Sequence, residues 1–296
     1  MATPADAAHH GHPEAHHGHH DVHHPYHLVE PSPWPIFGSV SALVLVTGLL
    51  MYMHEIAGGP WVMLAAALGL AWTLVHWWRD VIHEARAGDH TDPVSRGLRI
   101  GMALFITSEV LFFYAFFWAY FWGALNHPVT VEGYTWLPAG AHPVETWDIP
   151  FLNTMILLLS GCTVTWAHHC VREGDNRTAA KALALTVCLG LLFTSLQAYE
   201  YLHTIYSPEG FSIHSGIFGS SFYMATGFHG FHVMVGTTFL LVCTMRAWYD
   251  HFRPEKHVGL EAAAWYWHFV DVVWLFLFSW VYWWGGYMAM AGAAVS

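Results

Sequence analysis

The sequence predicts an all-α membrane protein of seven transmembrane helices, and three observations carry that reading. Hydrophobic residues make up 55% of the 296-residue chain and charged residues only 10%, against about 25% charged in an ordinary soluble domain. Seven long apolar runs follow one another, each close to the ~20 residues that cross a bilayer as a helix. The ten Lys and Arg residues all gather at alternate connections between those runs. The formal net charge of −11 also excludes a nucleic-acid partner, which needs a basic stripe that ten Lys and Arg cannot supply.

The chain opens on a histidine-rich segment, with ten of its 25 histidines inside the first 27 residues. Residues 1–29 are too polar to bury a core and are predicted to form a disordered tail. Such tracts can bind metal and buffer protons, since free imidazole titrates near pH ~6.5. The segment lacks the basic and apolar regions of a secretory signal, so none is expected.

The transmembrane domain is predicted over 30–296. Runs one and two, 36–53 and 61–78, are joined by the tight turn HEIAGG and should form a hairpin. The third, 100–122, carries Glu109 in its apolar middle. The connection 123–150, with Gly133, Pro138, Gly140, Pro143 and Pro150, reads as an ordered cap. The fourth run is 151–171, ending near His168 and His169, and the fifth is 182–199, with Glu200 expected at the interface beyond it. The sixth, 217–245, holds His229 and His232, and its Gly227, Gly230 and Gly236 permit close helix contact. The seventh, 262–284, runs 23 residues without Lys or Arg and places His268 and Asp271 three apart on one face. The four cysteines fall in or at the ends of these runs with no CxxC pair and read as small buried residues.

Arg79, Arg86, Arg96 and Arg99 flank the connection between helices two and three. Arg172, Arg177 and Lys181 flank that between four and five, and Arg246, Arg253 and Lys256 that between six and seven. With seven crossings those connections share one side with the N-terminus, and the positive-inside rule makes that side cytoplasmic, or the matrix side in a mitochondrion.

Ionisable groups at mid-membrane cost roughly 2.5–3.5 kcal/mol on insertion scales, so Glu109, His268 and Asp271 should face protein or trapped water. The residues alone leave Glu109 open between a proton-relay carboxylate, a group meeting a lipid head and a structural hydrogen-bonding group. For His229, His232, His268 and Asp271, a hydrogen-bonded seam explains the pattern, and neither spacing nor ligand softness points to one metal. His168 and His169 sit beside water at a helix end and need no ligand role. Trp77, Trp78, Arg79 and Arg246 suit an interfacial belt, where indoles anchor and guanidinium groups reach lipid phosphate. No nucleophile elbow, phosphate loop, haem-attachment signature or dinucleotide fingerprint occurs, and no catalytic residue is assigned.

Seven motifs taken together are similar to subunit III of the haem–copper cytochrome c oxidases. They are HPYHLVEPSPWP (24–35), WWRDVIHE (77–84), SEVLFF (108–113), TWAHH (165–169), LQAYEY (196–201), ATGFHGFHV (225–233) and EAAAWYWHFVDVVWLFLF (261–278). They stand in that family's order and cover about His24 to Gly285. The resemblance implies a non-catalytic core subunit that holds no haem or copper of its own, those centres belonging to subunits I and II. It implies packing against subunit I, a two-helix hairpin splayed from a five-helix bundle, and phospholipids in the cleft between them. Lipid contacts carry over to Trp77, Trp78, Arg79, Glu84 and Arg246, and to His90 in a more variable loop. Glu109 matches the family's buried carboxylate, and His24 and His27, with the tail, are candidates for feeding protons to subunit I. The tail or the outer loop offers a contact for another respiratory complex.

The rival reading is an independent proton-coupled transporter using Glu109, Asp271 and the histidines, which predicts inverted repeats that this sequence lacks. A membrane metal-binding protein is a third, but the tail offers no defined ligand geometry. The acidic, Lys/Arg-poor N-terminal segment favours a bacterial inner membrane.

Overall fold

The computed structural model describes residues 25–27, 31–126, 136 and 141–288. It contains seven helices long and apolar enough to cross a membrane, which bears out the fold class. Most of the tail, including His24, and most of the outer loop lie outside the described residues. Two compact units divide at Gly97 and Leu98.

The first unit is built on α1 (Trp34–Met53) and α2 (Gly59–Ala87). Prolines in the first turns of both helices fix φ where a backbone N–H has no intrahelical partner. The turn between them closes through Ile56 N–H donating to Met51 O at 2.8 Å, and Gly58 takes φ 92°, which costs a residue without Cβ little. A Cβ on Gly48 would stand 2.8 Å from the Met63 backbone nitrogen, so this glycine sets how closely the hairpin packs. The helix α2 continues nine residues past the apolar run. It ends at Gly88 in the left-handed conformation, whose N–H bonds Glu84 O.

The second unit contains α3 from Leu98 onward (full helix Asp92–Leu125), α4 (Ile149–Arg172), α5 (Asn176–Tyr206), α6 (Gly216–Trp248) and α7 (Val258–Phe276). A π-helical stretch, Leu277–Trp284, extends α7. Side chain Asp175 caps α5 by accepting from Thr178 N–H at 3.0 Å, and hydrogen bonding from the Thr178 side chain and then its backbone holds the carboxyl below the ordinary carboxylate range. Along α4, α5 and α6, α4 packs on α5 and α5 on α6, while α7 lies against both α4 and α6. Of α7's most apolar window 61% is buried, against 6% for α1, so α7 is the axis of its unit. The outward rows of Leu, Ile, Val and Phe on the other helices suit lipid or partner helices, where an exposed apolar face costs nothing.

Two tryptophans of α7 fix the core. Trp267 donates from Nε1 to Ser160 Oγ at 2.8 Å, and Trp274 to Thr154 Oγ1 at 2.9 Å. Contacts from α3 are made by rings, such as Phe112 on Phe228 and Phe117 on Phe276. Its Tyr120 hydroxyl reaches the Trp280 and Val281 carbonyls at 3.4 Å, and Thr146 donates to Tyr282 O at 3.0 Å. Those three carbonyls belong to the π-helical stretch, where the widened turn is supported by side-chain donors.

Two expectations change. Glu200 is not interfacial: α5 runs on to Tyr206, so the carboxyl sits more than a turn inside the helix and is only 3% exposed. Of the cysteines, Cys170 and Cys243 are buried, but Cys162 and Cys188 face outward, because helical rotation sends them to the far side from the core.

Candidate functional site

The basic end of α2 presents one row. His76, Arg79, Asp80, His83 and Arg86 recur at three- and four-residue spacing and, with Ile82, line an open hollow of about 530 Å³. Trp77 and Trp78 flank this row and are exposed. Asp80 accepts from Trp34 Nε1 at 2.5 Å, tying α1 to the row. Glu84, a lipid-contact candidate, faces His27, whose Nε2 lies 3.6 Å from its carboxylate. The segment before α1 is fastened nearby, as Thr91 Oγ1 donates to Pro25 O at 2.5 Å. His90 is half-buried in the same connection.

Arg246, at the end of α6, is half-buried and stacks its guanidinium 4.6 Å above the Phe252 ring. The cation is therefore partly committed to the protein.

Glu109 meets His232 at 2.9 Å, joining α3 to α6. His232 Nδ1 lies 2.7 Å from the Phe228 carbonyl, which can only accept, so Nδ1 carries a hydrogen. The bond from Nε2 to Glu109 then requires one more proton, held on the carboxyl or on the ring. His229 does not join this pair. Its Nε2 donates to Val270 O at 3.1 Å, and the ring packs against Phe193 and Trp274. His268 and Asp271 form a third group: Nδ1 lies 3.5 Å from Asp271 Oδ2, and Nε2 contacts Thr165 Oγ1 at 3.2 Å. A Cβ on Gly161 would come within 2.6 Å of Asp271 Oδ2, so the absence of that Cβ makes room for the carboxylate. The four groups expected to share a seam thus serve three separate contacts.

Two clusters escaped the sequence reading. One joins Asn153, Gln197, Glu200 and Tyr282 by hydrogen bonds of 2.7–3.3 Å. The other gathers Arg99, His168, His257 and Glu261 at the basic-residue end of the bundle. Arg99 grips Glu261 with Nε at 2.6 Å and Nη2 at 3.1 Å. His257 Nε2 is 3.3 Å from the same carboxylate, and His168 is tilted over His257 with ring centroids 5.2 Å apart. The i, i+4 spacing of His257 and Glu261 was the only local signal.

A family model described as Cytochrome c oxidase subunit III matches residues 24–286. A protein of Prototheca wickerhamii with the name Cytochrome c oxidase subunit 3 is 52% identical over 260 residues, 88% of this chain and 97% of its own length. Proteins of the same name from Arabidopsis thaliana and Cyprinus carpio are 52% and 51% identical over 260 and 259 residues, each over 96% of its own length.

Proposed function

The chain belongs to the cytochrome c oxidase subunit III family, and from that premise we propose that it supports the haem and copper chemistry of subunits I and II by holding phospholipid beside them. A multi-pass subunit of a respiratory oxidase is the reading that replaces the independent transporter.

The observation that carries the lipid role is the row on α2. Arg79 and Arg86 offer cations to phosphate, His83 adds a donor between them and His76 one before them, and Trp77 and Trp78 supply amphipathic rings beside the row. Arg246 marks a separate candidate contact on α6, weaker because Phe252 already engages it. The basic ends of the helices lie in the cytoplasm on this reading, with the N-terminus, in a bacterial inner membrane.

Each basic residue near an anionic lipid surface contributes about 1 kcal/mol, roughly fivefold in retention. Phosphorus analysis of the purified oxidase is expected to show lipid lost in Arg79→Ala under washing that leaves the wild type loaded, with faster inactivation during turnover. Unchanged lipid content and an unchanged number of turnovers would sink the proposal.

The tail, His24 and His27 are further proposed to pass protons toward subunit I, motivated by the seating of His27 beside Glu84. Deleting residues 1–22 is expected to lower the rate of proton uptake most near pH ~6.5, where imidazoles both take up and release protons, and least at alkaline pH, where few stay charged. The same pH profile with and without the tail rules the idea out.

A further inference from the structure

We propose that His168, His257 and Glu261 form a zinc-binding site that clamps the end of α4 to the start of α7. The argument begins with a proton count. His257 Nδ1 lies 3.1 Å from the Arg253 carbonyl, which can only accept, so the hydrogen of a neutral ring is on Nδ1. The Nε2 lone pair then points at Glu261 Oε1, 3.3 Å away. Two acceptors facing each other at that distance need a proton or a metal ion between them. The third atom is in want of a partner: His168 Nε2 is buried and makes no hydrogen bond among the described residues. One ligand atom from each of the three residues lies within 4.8 Å of the others, a separation that a single ion spans.

The surroundings resemble a prepared coordination sphere. A ligating histidine ordinarily donates its second N–H to a backbone carbonyl, as His257 does to Arg253. Arg99 donates to both Glu261 oxygens, Oε2 at 2.6 Å and Oε1 at 3.1 Å, and so fixes the carboxylate with Oε1 facing the imidazoles. Two imidazoles and one carboxylate select zinc over magnesium or calcium, which prefer all-oxygen shells. Three protein ligands leave a fourth position for water. His169, although adjacent, is exposed and belongs to a different face of α4.

The test is made on the complete oxidase, loaded with zinc and dialysed, with zinc counted by mass spectrometry and its neighbours read at the zinc K-edge. That edge is blind to haem iron and to copper. The wild type is expected to keep one more zinc per chain than either His168→Gln or His257→Gln, with a shell of two imidazoles and one carboxylate oxygen at roughly 2.0–2.1 Å. Equal zinc in wild type and variants, or none retained, overturns the site. Should the variants fail to assemble, the wild-type spectrum decides. A mixed imidazole and carboxylate shell supports the site, whereas a shell of histidine alone places the metal on the N-terminal tract and refutes it.

Discussion

Trp267→Ala is expected to destabilise the subunit by about 3–5 kcal/mol, the range for emptying a buried tryptophan site. Trp267 has no exposed surface and is, with Trp274, one of the two fully buried tryptophans among the described residues. It crosses from α7 into a slot whose walls are glycines. A Cβ on Gly190 of α5 would stand 2.8 Å from the ring's Cη2, and one on Gly236 of α6 would stand 2.9 Å from Cε3. The indole N–H reaches the fourth helix at Ser160. One side chain therefore touches α4, α5 and α6 at once. Truncation removes its dispersion contacts, opens a cavity and leaves Ser160 Oγ without its donor. In a membrane the apolar transfer contribution is small, so packing carries the loss. Heating the purified oxidase and following release of this subunit reads the effect. Gly190→Ala approaches the same slot from the other wall and is expected to cost about 1–3 kcal/mol by overpacking. Combined with Trp267→Ala, the glycine change should cost less than alone, because the ring contact is gone and only Thr237 Oγ1, 2.7 Å from the added Cβ, must still give way. Strict additivity of the two would mean that the slot does not couple them.

The parts legible in the sequence were those set by local pattern. Apolar run length gave the seven spans. The tight turn at HEIAGG was visible because glycine in a left-handed conformation leaves a mark in one dimension. Helix ends were less legible: α2, α3 and α5 run well beyond their apolar cores, since a helix continues through polar residues once its backbone is hydrogen-bonded. The joining of Glu109 to His232 could not be read, because 123 residues separate the partners and only the fold aligns them. The same holds for Arg99 with Glu261, 162 residues apart. His229 and His232 show the limit of face counting. Three residues apart, they share a helix sector, yet one bonds the α7 backbone and the other α3.

Glu200→Leu is the second change of large expected effect, about 2–5 kcal/mol, and the reasoning lies in its donors. Glu200 Oε1 accepts from Gln197 Nε2 at 2.9 Å and from the Tyr282 hydroxyl at 2.7 Å. Gln197 also donates to the Tyr282 oxygen at 3.1 Å and accepts from Asn153 Nδ2 at 3.3 Å. The chain of bonds ties α4 and α5 to the π-helical end of the seventh helix. Leucine would fill most of the volume but offers no acceptor, so one amide hydrogen and the tyrosine hydroxyl would be left buried and unmatched. Each such orphan costs about 1–3 kcal/mol. Glu200→Gln keeps an oxygen in place and is expected to cost under about 1 kcal/mol. Tyr282→Phe removes one donor and should cost about 1 kcal/mol. Combining Glu200→Leu with Tyr282→Phe should lose less than the sum, because the second change removes an orphan that the first created. The release temperature of the subunit distinguishes the cases. Equal losses for leucine and glutamine would show that shape, not hydrogen bonding, fixes this position, and would leave the burial of a carboxyl there without a structural reason.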